Sequence, residues 1–115
     1  MRSLILFLFT ILVFNSYGFC QGDAYTRAIA EHFGKDPQQI ARLFSNGYGR
    51  TELITMILIS NAANTELLNV VVLRKHGERF LAICKKLKVD WKLIQALTQQ
   101  EQSTINNLVP APEHN

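Results

Sequence analysis

Leu53-Ile54-Thr55-Met56-Ile57-Leu58-Ile59-Ser60 is the stretch on which the fold turns. Wrapped as a helix it leaves almost no polar face. Laid out extended it makes a buried strand, and an isoleucine-rich run of this length fits both. Asn69-Val70-Val71-Val72-Leu73 poses the same choice. An internal repeat decides for helix. Residues 36–59 laid over 66–89, an offset of 30, match Leu43 with Leu73 and Gly47 with Gly77. They also pair Ile40 with Val70, Leu53 with Ile83, Ile57 with Leu87 and Ile59 with Val89. Helix, glycine turn and helix follow one another in both copies.

The first member of copy one is plainly helical. Asp36-Pro37 reads as N-cap and first helical position, and Ile40, Leu43 and Phe44 make a stripe opposite Gln38, Gln39 and Arg42. Its counterpart around Val70–Val72 is then helical too. A central place in this scheme explains why residues 53–59 are apolar all round, with strand kept as the alternative for both runs.

Outward from the repeat the helical pattern continues. Tyr25, Ala28, Ile29, His32 and Phe33 recur at three and four, and Gly34 ends that helix as a left-handed cap. Asp90 caps a last helix running through Trp91, Ile94, Leu97, Ile105 and Leu108, whose polar stretch from Gln99 to Asn107 predicts fraying. Residues 109–115, with two prolines, read as a disordered tail. The expected fold is all-α: one small single-domain bundle of five or six short helices over residues 21–108, with two tandem helix-turn-helix-like units.

The N-terminus reads as a signal peptide over residues 1–20. Arg2 is followed by 11 uncharged residues, Leu4 to Phe14, and then by Asn15-Ser16-Tyr17-Gly18. A membrane-crossing helix needs roughly 20 apolar residues, whereas a short basic start, a short apolar run and small residues mark a secretory leader. Cleavage sites are offered after Gly18, Cys20 and Gly22, and the middle one makes Gln21 the first mature residue. Lipidation of Cys20 is disfavoured, because Phe19 is bulky where a lipobox wants a small residue. Cleavage at Gln21 leaves 95 of the 115 residues, enough for one domain. One cysteine, Cys84, then remains, which excludes a disulfide scaffold. With no Asn-x-Ser/Thr sequon, a bacterial periplasmic or extracellular setting is the expectation.

Charge is unevenly spread. Residues 74–92 hold seven bases, Arg74, Lys75, Arg79, Lys85, Lys86, Lys88 and Lys92, against Glu78 and Asp90, a net +5. The rest of the mature chain is −3, so one end of the domain is basic.

Within this basic end, Phe80 to Ile94 resembles a DNA-binding helix-turn-helix. Ile83, Leu87, Val89 and Ile94 stand at its apolar positions, Cys84 at its small one and Asp90 at its cap. The resemblance implies a recognition helix offering Trp91, Lys92, Gln95 and Gln99 to a groove. Against it, Lys88 replaces the turn glycine, and an exported protein does not meet chromosomal DNA. The mature chain is also similar to small exported bacterial proteins of unknown function that carry glycine-punctuated, helix-turn-helix-like repeats. Asn46–Leu53 and His76–Ile83 carry that likeness, which implies neither an activity nor site residues.

Catalytic chemistry finds little footing. His32 shares a face with Ile29 and Phe33, as a part-buried core histidine does, and His76 sits beside the second glycine turn. Cys84 lies on the apolar face with Phe80, Ile83 and Leu87, although neighbouring Lys85 and Lys86 would favour its thiolate. No paired Cys/His spacing suggests a metal, no cofactor motif occurs, and Glu31, Glu52 and Glu78 are separated singles. The expected function is binding without catalysis, through Arg74, Lys75, Arg79, Lys85, Lys86, Lys88 and Lys92, to an anionic surface, polymer or acidic protein. The alternative is a membrane-anchored or cytoplasmic nucleic-acid-binding protein.

Overall fold

The computed structural model describes residues 24–109. The leader, its cleavage point, Cys20 and the tail beyond Val109 lie outside them. Among the described residues there are six helices and no strand: α1 Ala24–Phe33, α2 Pro37–Ser45, α3 Arg50–Ala63, α4 Leu67–Lys75, α5 Phe80–Leu87 and α6 Trp91–Leu108. Both ambiguous runs are therefore helical, 53–60 inside α3 and 69–73 inside α4. None of the described helices is long and apolar enough to cross a membrane.

The repeat holds bond for bond. Helices α2 and α4 cover the same nine positions at an offset of 30, as the starts of α3 and α5 also do. Asn46 N–H donates to the carbonyls of Arg42 and Leu43, and His76 N–H to those of Val72 and Leu73. Gly47 N–H reaches Phe44 at 3.0 Å, and Gly77 N–H reaches Arg74 at 3.0 Å. Tyr48 and Glu78 then return to Leu43 and Leu73, each at 3.3 Å. This turn needs φ of +100° at Gly47 and +90° at Gly77, a region open to glycine and costly for other residues. The copies part company late. Helix α3 runs 14 residues, whereas α5 stops after 8. Val89, the counterpart of Ile59, consequently lies in the link between α5 and α6.

A second junction type recurs three times, a left-handed residue two places before an N-cap. Gly34 (φ +66°) precedes Asp36, Asn64 (φ +57°) precedes Glu66, and Lys88 (φ +61°) precedes Asp90. In each, the residue between donates its N–H to the carbonyl five residues earlier, closing a loop of the Schellman type: Lys35 to Ala30, Thr65 to Ser60, Val89 to Cys84. Asp36 and Asp90 cap as the sequence suggests, accepting from Gln38 N–H and Lys92 N–H at 3.0 Å.

Helix α3 is the hub. All eight residues from Leu53 to Ser60 are buried, because α3 packs against both α4 and α6. Its two buried hydroxyls are satisfied within the helix, Thr55 by the Thr51 carbonyl and Ser60 by that of Ile57, both at 2.8 Å, so their burial carries no unpaired polar group. Helix α1 packs on α2 and α6, and α5 on α4 and α6. Ile29, Ile40, Val70, Ile83, Cys84, Ile94 and Ile105 complete the sealed core around α3.

Helix α6 stays helical to Leu108 rather than fraying. Its polar residues reach across to neighbours: Glu101 pairs with His32 of α1, and Gln102 accepts from Thr51 Oγ1 at 2.7 Å. Ile105, fully buried, anchors the last turns. Val109 follows as C-cap, half-buried against the core.

Candidate functional site

The seven bases do not form one continuous surface. Arg74, near the end of α4, turns inward. Its Nε donates to Glu52 Oε2 at 2.9 Å, a terminal N–H donates to the Glu78 carbonyl at 3.1 Å, and the guanidinium lies 4.1 Å from the Phe80 ring centre. Glu52 serves twice, since its other oxygen accepts from Gly49 N–H at the start of α3. Arg74 thus ties α4 to α3 and to the head of α5. Lys86 is also occupied, its Nζ 2.7 Å from Glu78 Oε2. Lys75 lines a hollow of about 550 Å³ with Tyr48, Glu52 and Val71, and Arg79 is the N-cap residue of α5, exposed.

Lys85, Lys88 and Lys92 gather around the α5–α6 corner. Lys85 lies in the last turn of α5, Lys88 is its left-handed cap, and Lys92 is the second residue of α6; all three are exposed. The acid between them, Asp90, spends a carboxylate oxygen on the Lys92 N–H. Burial of Ile83 and Cys84 fixes which side of α5 faces inward and leaves Leu81, Ala82, Lys85 and Lys86 outside.

The corner has the course of a helix-turn-helix, with Lys88 taking the left-handed position normally given to glycine. Of the four residues that resemblance offers to DNA, only Lys92 is outside the cleft next to it. Trp91 is half-buried and stacks on Phe80, centroids 6.0 Å apart and planes 23° from parallel. Gln95 and Gln99 continue down the same face of α6. These three, with Thr51, Glu52, Thr55, Arg74, Phe80 and Thr98, line a cleft of about 400 Å³ among α3, α4, α5 and α6. The cleft was not foreseen from sequence. The one local signal is the i, i+4, i+8 spacing of Trp91, Gln95 and Gln99.

Cys84 is fully buried. Burial, assisted by the Asp90 charge, raises its thiol pKa, so the thiolate that Lys85 and Lys86 were expected to favour is instead disfavoured; both lysines lie on the outer side of α5. His32 also departs from expectation. It sits at the surface, edge-on to Phe33 and bonded to Glu101, instead of in the core. His76 is the C-cap of α4, beside the turn as anticipated. Among the described residues, no three His, Cys, Asp or Glu side chains converge on a common point.

No family model, curated protein or solved structure matches the chain. Its chemistry has to be read from its own residues.

Proposed function

We propose that the protein is exported and works as a non-enzymatic binding module, holding an anionic partner at the α5–α6 corner. The observation that carries this reading is the placement of Lys85, Lys88 and Lys92. They are exposed around a single turn, and the acid among them is committed to capping α6. Arg74 and Lys86, already paired within the fold, contribute less to any partner than their sequence positions suggest. Export is supported by the basic start and short apolar run at the N-terminus.

Two measurements test the proposal. The intact mass of the protein from fractionated native cells begins at Gln21 and is found outside the cytoplasm; a full-length cytoplasmic mass refutes export. Binding is tested with polyphosphate, vesicles containing phosphatidylglycerol and duplex DNA, comparing the native chain with a Lys85→Ser, Lys88→Ser, Lys92→Ser triple variant. Each lysine near an anionic surface is worth about 1 kcal/mol, so the variant loses about 100-fold at low salt, and added salt weakens the native chain. An unchanged affinity removes the corner from the mechanism. A marked preference for duplex DNA over polyphosphate, together with a full-length cytoplasmic mass, favours the helix-turn-helix alternative.

A further inference from the structure

The cleft beside the corner has a different chemistry. Its two charged groups, Arg74 and Glu52, are paired with each other, so it makes no demand for a charged ligand. Phe80 and Trp91, stacked on each other, form its aromatic part, and the Arg74 guanidinium lies 4.1 Å from the centre of the Phe80 ring. The rest of the lining is hydroxyls and amides, Thr51 and Thr55 from α3 and Gln95, Thr98 and Gln99 from the same helix as Trp91.

The floor has unused accepting capacity. Thr55 donates its proton to the Thr51 carbonyl, so in the 3.2 Å Thr55–Thr98 contact it is Thr98 that donates. The Thr98 oxygen, on a residue 6% exposed, is left to accept. Gln95 and Gln99 are exposed at the rim, and each amide can both donate and accept.

The repeat supplies a control for this arrangement. At the offset of 30, Phe44 and Arg50 correspond to Arg74 and Phe80. There too a guanidinium covers a ring, Arg50 lying 4.0 Å from the centre of Tyr25, and a second ring, Phe44, lies 6.3 Å away. A flanking helix provides the third member in each case, Tyr25 from α1 and Trp91 from α6. Tyr25 is 2% exposed and closed in. A cation and two rings meet in both copies, but the guanidinium covers the flanking ring in copy one and the repeat's own ring in copy two; the covered ring is closed in at Tyr25 and half-buried beside the cleft at Phe80.

We infer that the Phe80–Trp91 cleft is a binding site for one or two uncharged, hydroxyl-rich rings, the chemistry of a neutral mono- or disaccharide. The C–H face of such a ring lies against the aromatic wall, and its hydroxyls, each both donor and acceptor, match Gln95, Gln99 and Thr98. About 400 Å³ is at the small end of ligand sites, which run roughly 300–1,000 Å³. A peptide adding as a strand would need a sheet edge, and there is none among the described residues.

Trp91 is the single tryptophan of the chain, so its fluorescence reports on the cleft directly. The full protein is titrated into the millimolar range with uncharged disaccharides of glucose, galactose and N-acetylglucosamine, and backbone amide shifts are followed by NMR. The expected result is a saturable change in Trp91 emission with at least one sugar, insensitive to salt, with amide shifts clustered at residues 91–99. Gln95→Ala plus Gln99→Ala, both surface changes that leave the fold intact by circular dichroism, weakens it roughly tenfold, one to two hydrogen bonds. The Lys85, Lys88, Lys92 triple variant leaves it unchanged, which separates this site from the basic corner. Silence across the three sugars overturns the inference. So does an emission change that follows protein concentration instead of sugar, which would make the occupant a second copy of the chain.

Discussion

Replacing Lys88 by glycine should make the protein more stable, although it removes a residue of the proposed binding corner. Lys88 holds φ +61° and ψ +46°, where an L-residue with a Cβ carries about 1–2 kcal/mol of strain. The equivalent junctions use Gly34 and Asn64, residues that enter this region more readily. Glycine removes the strain but enlarges the unfolded ensemble, which returns about 0.4–1 kcal/mol. The net gain is about 0.5–1 kcal/mol, or about 3–6 °C in Tm for a domain of this size. Urea and thermal unfolding followed by far-UV circular dichroism measure it. Lys88→Ala is the control, because it removes the same charge and keeps the left-handed Cβ; it should stay within about 0.5 kcal/mol of the native chain. If alanine stabilises as much as glycine, relief of lysine–lysine repulsion is the cause and the backbone argument fails. If glycine destabilises, the turn is not strained at all.

Arg74→Met should cost about 1–2 kcal/mol by losing Glu52, the Glu78 carbonyl and the Phe80 ring together, whereas Lys85→Met should be near neutral. A double-mutant cycle of Arg74→Met with Glu52→Gln should show coupling of about 1 kcal/mol, held to that size because both side chains are partly exposed; additivity would mean the ion pair contributes nothing. Stability should fall on the alkaline side. The Cys84 thiol is raised by burial and by Asp90, so above about pH 8.5 the unfolded chain loses that proton while the folded chain keeps it, and unfolding gains from each further rise through the folded value. Cys84→Ala should flatten the slope of urea stability between about pH 8.5 and 10; an unchanged slope refutes the assignment. Tyr25, raised by burial against the opposing pull of Arg50, adds a loss of the same sign above about pH 10.

The repeat made most of the fold legible, since Gly47 and Gly77 mark turns whose geometry admits little else, and Pro37 fixes the start of one copy. The helical choice for 53–60 followed from position, as its own residues favour neither state. What escaped was anything depending on partners far apart in the chain. Arg74 counts as one more base in a basic run until Glu52, 22 residues earlier, comes to lie beside it. The polar stretch of α6 looked like a weak helix end because its partners, His32 and Thr51, lie on other helices. The cleft is a product of four helices meeting, and the i, i+4, i+8 spacing of Trp91, Gln95 and Gln99 marks only its α6 side.

Burying every side of α3 has a consequence before folding is complete. Residues 53–60 carry no charge, no proline and no glycine, the composition of a segment that stacks readily into intermolecular β-structure. In the native state α4 and α6 cover it. A nascent or partly opened chain offers it to other copies, and α6, the last of the described helices, is needed to close it. Truncation within α6 is therefore expected to yield insoluble chains instead of a smaller soluble bundle, and conditions that detach α6 should set the onset of aggregation.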